Sequence, residues 1–297
     1  MYTYTIIIPH YNIPHLLERL LRSIPKRTDL QVIVVDDCSP RDAKYKLDAL
    51  KDNFPVVEFY TTEKNGGGGK ARNIGMKYAK GRYLIFSDAD DYFTSEFSDI
   101  LEDYSGSDNY DIIFFNAKSV DSITYQPKAR ANHLDELIKL SERDLEKGKI
   151  ALKYLFGEPW CKIIKREIVI KNKIFFDEIP IHNDTFYSYM VGYYAKDIRI
   201  DSRIGYVITE RSASVSKQLS EEKLIIREKV FSRKNQFLKR NYIPVLDPLM
   251  FLPLSDAIKK RNFRLLKLLL IAAKENGYSK FAIFKDYLRI RLKGKLL

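Results

Sequence analysis

Arg82-Tyr83-Leu84-Ile85-Phe86-Ser87 runs straight into Asp88-Ala89-Asp90-Asp91. The first six residues have the pattern of a buried strand, and the next four carry three carboxylates. Like charges crowded at a strand end repel one another and are costly to desolvate. A hard divalent cation offsets that repulsion, and oxygen ligands at this density suit Mg²⁺ or Mn²⁺. Mg²⁺ typically takes one or two protein carboxylates and completes its shell with phosphate and water. The stretch therefore points to a protein that handles a nucleoside diphosphate.

Upstream of it, strands and helices alternate. Thr3 to Pro9 is a β-branched run, and Pro14 to Ile24 carries leucines at helical spacing (Leu16, Leu17, Leu20, Leu21). Gln31 to Asp36 is a continuous Val/Ile run, as in a parallel strand buried on both faces. An amphipathic helix over Arg41–Phe54, a strand over Val56–Thr61 and a helix over Lys70–Ala79 complete the series. This alternation predicts an α/β fold, a Rossmann-like doubly wound, mostly parallel sheet. Ligands of such sheets bind outside the carboxyl ends of the strands. Pro9-His10-Tyr11-Asn12, Asp36-Asp37 and Asp88-Ala89-Asp90 all fall at those ends.

Beyond residue 111 the pattern loosens. Asp111 to Ala117 reads as a strand, and Lys118 to Lys149 as loops with a charged helix. Lys162 to Lys171 and Asp184 to Tyr194 look helical or helix-flanking. From Glu221 the chain reads as basic amphipathic helices broken by Pro244, Pro248 and Pro253. The expected division is an α/β ligand-binding domain over 1–216 and a basic amphipathic helical region over 217–297.

Charge follows the same division. Of the net +12, residues 217–297 hold 20 Lys+Arg against 7 Asp+Glu, while residues 1–216 are nearly neutral. Such a segment seeks an acidic surface, whether anionic lipid, nucleic acid or a polyanion, unless it is simply a solvated helical face. Cys38 and Cys161 make no disulfide framework, which favours a reducing compartment. The N-terminal apolar run stops at Pro9 without a basic stretch, so no signal peptide is expected. Leu265 to Ala273, interrupted by Lys267, is too short to span a bilayer.

Several motifs are excluded. Gly66-Gly67-Gly68-Gly69-Lys70 has Lys64 and Ala71 where a P-loop needs Gly and Ser or Thr. Its glycines still let backbone approach a diphosphate, with Arg72 able to pair with it, or else they form only a flexible loop. His10, His15, His133 and His182 lack zinc spacing and are expected to be ordinary surface or loop histidines. There is no Gly-x-Ser-x-Gly nucleophile elbow, and no nucleic-acid recognition motif accompanies the basic C-terminus. Asp36-Asp37 can accept the imide N–H of uracil or thymine, or the N1–H of guanine; alternatively the pair caps the following helix.

Taken together, Thr5 through Asn12, Val32 through Ser39, Asn65-Gly66-Gly67, Ala71-Arg72-Asn73-Ile74-Gly75 and Gly81 through Asp91 resemble, in order and spacing, the family 2 glycosyltransferases. These are inverting sugar-nucleotide transferases of the A-type glycosyltransferase fold, and the resemblance covers roughly residues 3–215. It implies that Pro9 and Tyr11 border the base, Asp37 holds its imide, Arg72 lies near base or diphosphate, and Asp88 faces the ribose. Asp90 would bind Mn²⁺ or Mg²⁺, with Asp91 as a substitute ligand. Trp160-Cys161-Lys162 and Ser214 would lie on the acceptor or diphosphate side. Asn183-Asp184-Thr185-Phe186 resembles the family's Glu-Asp-x-x-Phe segment, which makes Asp184 the catalytic base. Asn183 replaces the family's glutamate, and so removes a neighbour that would raise the pKa of Asp184.

The function so implied is transfer from a nucleotide sugar, with uracil the first expectation for its base, to a glycan or lipid-linked hydroxyl in bacterial surface-polysaccharide assembly. A non-catalytic sugar-nucleotide or glycan-binding module with the same fold is the alternative. The expected partners are the donor, the acceptor and an anionic membrane surface, with no nucleic acid. The expected place is the cytoplasm, peripheral at the inner face of the membrane, since basic amphipathic helices settle in membrane interfaces.

Overall fold

The computed structural model describes residues 1–106, 110–211 and 220–293, with side chains to residue 288. Its framework is an eight-stranded, mostly parallel sheet in the order β3-β2-β1-β4-β7-β6-β8-β5. The first half of the sheet is as expected. β1 (Tyr4–His10), α1 (Pro14–Ser23), β2 (Leu30–Asp36), α2 (Arg41–Asn53), β3 (Val57–Thr61), α3 (Gly67–Tyr78) and β4 (Tyr83–Phe86) alternate along the chain. β1 pairs in parallel with β2 and β4, and β2 with β3.

All seven residues of β2 are buried. Successive side chains on a strand point to opposite faces. Val32 and Val34 accordingly join Leu17, Leu20, Leu47 and Leu50 in the main core. Ile33 and Val35 pack instead with Ala71 and Ile74 of α3. Helices thus cover both faces of this part of the sheet.

After β4 the chain turns through the carboxylates and returns as β5 (Tyr92–Phe93), antiparallel to β8 (Ile198–Glu210). Between them lie α4 (Glu96–Ser105), β6 (Ile112–Asp121), α5 (Asn132–Arg143), α6 (Leu145–Leu155), β7 (Lys162–Lys165), α7 (Arg166–Lys171) and α8 (Thr185–Tyr194). Three expectations change here. Lys162–Lys165 is a strand, antiparallel to β4 and β6, because it fills the sheet between them. β6 runs four residues past Ala117, paired along that length with β8. β8 itself was unforeseen, although Ile198-Arg199-Ile200-Asp201 alternates with a strand's period.

The extension begins with α9 (Glu221–Arg240). A single 3-10 turn at Pro248–Met250 leads into α10 (Phe251–Lys259), followed by α11 (Phe263–Glu275) and α12 (Lys280–Lys293). Pro253 does not break a helix. It lies in the first turn of α10, where its missing N–H needs no helical partner. Phe231, Met250, Leu254, Leu265, Leu269, Ala273 and Ile283 form a core of their own. The apolar positions expected to face a membrane therefore divide. One set builds this second core, and Phe263, Ile271, Phe281, Phe284 and Leu288 stay exposed. A third cluster, with Tyr154 and Tyr189 on one side and Leu238 and Val245 on the other, seats the extension on the sheet domain.

Candidate active site

The turn after β4 is held by basic side chains brought from distant elements. Arg72 of α3 lies 2.6 Å from Asp88 Oδ1. Arg211, just past β8, lies 2.7 Å from Asp90 Oδ2. Asp91 is buried, and its Oδ1 accepts the Thr209 N–H at 2.7 Å. Burial raises the Asp90 pKa, with Asp88 adding to it and Arg211 opposing. Burial raises Asp91 well above the carboxylate range, with Asp90 and Asp88 adding to it. Asp88 and Asp90 are partly open, whereas Asp91 acts as an internal anchor for β8.

Tyr206 of β8 fixes the start of this turn. Its hydroxyl takes the Asp88 N–H at 3.0 Å and bonds Ser87 Oγ at 2.9 Å. Trp160, expected on the acceptor side, is buried and stacks on Tyr206 with centroids 6.1 Å apart. Its contribution is support behind the carboxylates. Arg130 faces the same cluster. Burial lowers its pKa, but Asp88, Asp91, Asp90 and Glu158 together raise it. No motif marks Arg130, which sits in the polar stretch before α5.

At the neighbouring strand ends, Pro9 is the last residue but one of β1, and Tyr11 just beyond the strand has 46% of its surface exposed. Asp37 is buried, and its carboxylate accepts the N–H groups of Gly66 (3.0 Å) and Gly67 (2.6 Å) and the Thr62 hydroxyl (2.9 Å). The glycine run thus gives amides to Asp37. Gly67 sits at φ +82°, where other residues are strained. At Gly69 a Cβ would come within 2.1 Å of the Asp177 carbonyl oxygen. His10 is not a surface histidine. It is buried, its Nδ1–H donates to Asp36 Oδ1 at 2.8 Å, and its Nε2 accepts the Ile13 N–H at 3.2 Å. Burial opposes the charge of Asp36, yet the His10 and Ser39 hydrogen bonds hold its pKa below the usual value. Asp36 is thereby committed to the scaffold.

Asp184 stands at the N-terminal end of α8, and its side chain makes no capping hydrogen bond there. Arg72 links it to the carboxylate turn, because its second nitrogen donates to Asn183 Oδ1 at 3.1 Å. Burial pushes the Asp184 carboxyl up to about 6; Arg72 opposes this, while Glu158 and Asp88 add to it. The raising influence that Asn183 cannot supply comes from burial and from Glu158. Lys162 is buried and donates to the carbonyls of Phe156 (2.9 Å) and Glu158 (2.6 Å) and to Ser188 Oγ (3.1 Å). Burial pushes its pKa down to about 7. Lys162 therefore braces the 156–158 loop from beneath.

The extension reaches this site. Arg233 of α9 is ion-paired with Asp177, whose N–H donates to the Asn183 carbonyl at 3.0 Å. A cavity of about 370 Å³ lies between the two parts, with Glu158, His182 and Asp184 on one wall and Phe231, Lys234 and Asp247 on the other. Ser214 lies outside the described residues.

Among the described residues, no group of three or more His, Cys, Asp or Glu side chains is arranged to hold a metal. Asp88 and Asp90 nonetheless offer two hard carboxylates at a strand end. That donor set fits a Mg²⁺ or Mn²⁺ taking most of its shell from a diphosphate.

Comparison with known proteins agrees with this fold. The sequence model described as "Glycosyl transferase family 2" matches residues 5–172, and the chain belongs to that family. Poly(ribitol-phosphate) beta-N-acetylglucosaminyltransferase TarS of Staphylococcus aureus is 28% identical over 124 residues, 40% of this chain and 22% of the relative. The match thus spans about a fifth of that longer protein. The S. aureus TarS 1–349 structure in complex with UDP-GlcNAc superposes with a TM-score of 0.64 at 20% identity, covering 92% of this chain and 82% of the other. Mannosyltransferase PcManGT of Pyrobaculum calidifontis, solved with GDP-Man and Mn²⁺, gives 0.54 at 15% identity, covering 99% and 81%. These superpositions establish the shared fold.

Proposed function

We propose that this chain is an inverting glycosyltransferase that moves a sugar from a UDP-sugar to a hydroxyl of a glycan or lipid-linked acceptor in surface-polysaccharide assembly. The observation that carries the reading is Arg72, which joins Asp88 on the donor side to Asn183 beside Asp184. One guanidinium thereby sets the distance between leaving group and base. Asp184 takes the proton of the acceptor hydroxyl as its oxygen attacks the anomeric carbon. The bond from that carbon to the diphosphate breaks, and its electron pair leaves with the nucleotide. Arg72 and Arg130 stabilise the departing charge. Charge neutralisation at the diphosphate is what a Mg²⁺ or Mn²⁺ held by Asp90 supplies when bound. Pro9 and Tyr11 border the base, and Asp37 receives its imide while holding the glycine loop. The UDP assignment is supported by the S. aureus TarS 1–349 structures, which were solved in complex with UDP and with UDP-GlcNAc.

The same reading places the protein at the inner face of a membrane, as a peripheral protein. Among the described residues no helix is long and apolar enough to cross one. Phe281, Phe284 and Leu288 recur at helical spacing on α12 and are 77%, 60% and 38% exposed, with Lys280 and Lys285 alongside. An exposed apolar stripe with basic flanks suits an anionic lipid interface.

Calorimetry with UDP, GDP, dTDP, ADP and CDP in Mn²⁺, followed by hydrolysis assays on sugar derivatives of the preferred nucleotide, tests the reading. UDP should bind tightest, and its sugars should release UDP. Preference for ADP or CDP would remove the imide role of Asp37. Binding without turnover of any donor would favour the non-catalytic module.

A further inference from the structure

The cavity beside Asp184 shares that residue with the reaction centre, but its lining includes none of the donor-side groups Asp37, Arg72, Asp88 or Asp90. Its second wall belongs entirely to the C-terminal extension. There Lys234, almost fully buried, lies 2.5 Å from Asp247 Oδ2. Asp247 is fixed on every side. Its Oδ1 accepts the Leu249 N–H at 3.0 Å, its own N–H donates to Asn235 Oδ1 at 2.8 Å, and its carbonyl accepts from Asn235 Nδ2 at 3.0 Å. An ammonium has three donors, and Asp247 takes one from Lys234. A buried ion pair is not needed for stability, since an apolar pair of similar volume would often serve as well or better. Here it stands at the rim of a cavity that opens on the base, with the Phe231 ring 4.9 Å from that of His182.

We propose that Lys234, oriented by Asp247, is a specificity-determining residue that binds one polyhydroxylated unit of the acceptor, a sugar ring or an alditol, and presents its neighbouring hydroxyl to Asp184. This rests on the transferase reading and names the substrate class of its acceptor side. About 370 Å³ is at the small end for ligand sites, which run from roughly 300 to 1,000 Å³. It suits one such unit rather than an oligosaccharide or a lipid chain. Glu158 and His182 supply hydrogen-bonding partners for hydroxyls on one side, and Phe231 and Leu249 give apolar surface for C–H groups on the other. The extension would then select the acceptor, while the sheet domain binds the donor.

Saturation-transfer NMR on the full chain loaded with UDP tests this, with methyl β-glucopyranoside, methyl N-acetyl-β-glucosaminide and ribitol as probes. At least one should bind the unaltered protein. Lys234→Met should weaken that probe about tenfold, the effect of losing a hydrogen bond from a charged donor, with UDP affinity within about twofold. Should Asp247, left unpaired, prevent folding, the double variant Lys234→Met with Asp247→Asn keeps the wall neutral and should show the same loss. No probe bound, probe binding unchanged, or UDP affinity falling in parallel would each overturn the proposal. Failure of the unaltered protein to bind UDP would instead strike at the transferase reading itself.

Discussion

Arg211 Nη2 lies 2.7 Å from Asp90 Oδ2, so the carboxylate proposed to meet a metal ion is held by a cation of the chain's own. The two residues are 121 apart in the sequence, yet the β5–β8 pairing brings them together. A divalent ion at Asp90 would compete with Arg211 for the same oxygens.

From this, Asp90→Ala should abolish donor turnover while leaving the protein folded, because the carboxylate compensates charge and fills no core. Arg211→Gln should tighten Mn²⁺ binding in the absence of nucleotide. Electron paramagnetic resonance titration of Mn²⁺ measures this directly. Full activity of Asp90→Ala, or of the native protein in EDTA, would show that catalysis does not use this site.

Asp184→Asn should reduce transfer by about 10²-fold or more, the common range for a general base, with little change in UDP affinity. With the Asp184 pKa near 6, the native rate should fall as pH drops below about 6, where the base becomes protonated. The stability effect has the opposite sense. A carboxyl whose folded pKa is raised favours the native state while protonated, and that stability is lost as pH rises through about 6. The Asn variant should therefore be the more stable protein at pH 7.5, by roughly 1–3 kcal/mol. Thermal melts at pH 5 and pH 7.5 check this; a destabilised Asn variant at pH 7.5 would mean the carboxylate is there to hold the fold.

The proposed membrane role is best tested by point changes. Truncation near residue 260 would remove Leu265, Leu269, Ala273 and Ile283 from the second core and so disturb α9, which lines the cavity. Replacing Phe281, Phe284 and Leu288 together by Ser should leave the melting temperature nearly unchanged, since these side chains are exposed. Flotation with phosphatidylglycerol vesicles at low salt should drop sharply in the variant, and high salt should release the native protein. Equal flotation of both proteins would clear this stripe of any lipid role.

Local sequence carried the first half of the sheet and the carboxylate turn. Val/Ile runs, leucine spacing and strand-end polar groups are nearest-neighbour signals, readable without knowing which strand pairs with which. Asp88, Asp90, Arg72 and Asp184 could be singled out because each sits in a short motif. Contacts among groups far apart in the chain were not legible. Arg130 and Glu158 carry no motif, Arg211 meets Asp90 only because β5 pairs with β8, and His10 meets Asp36 only because β1 pairs with β2. The same limit applies to the extension. Its alternation of apolar and basic residues is compatible with a membrane face or a packed core, and folding assigns Leu265 and Leu269 to the core and Phe281 and Phe284 to the surface. Periodicity tells which residues share a face; only the packing of α9, α10, α11 and α12 decides what that face meets.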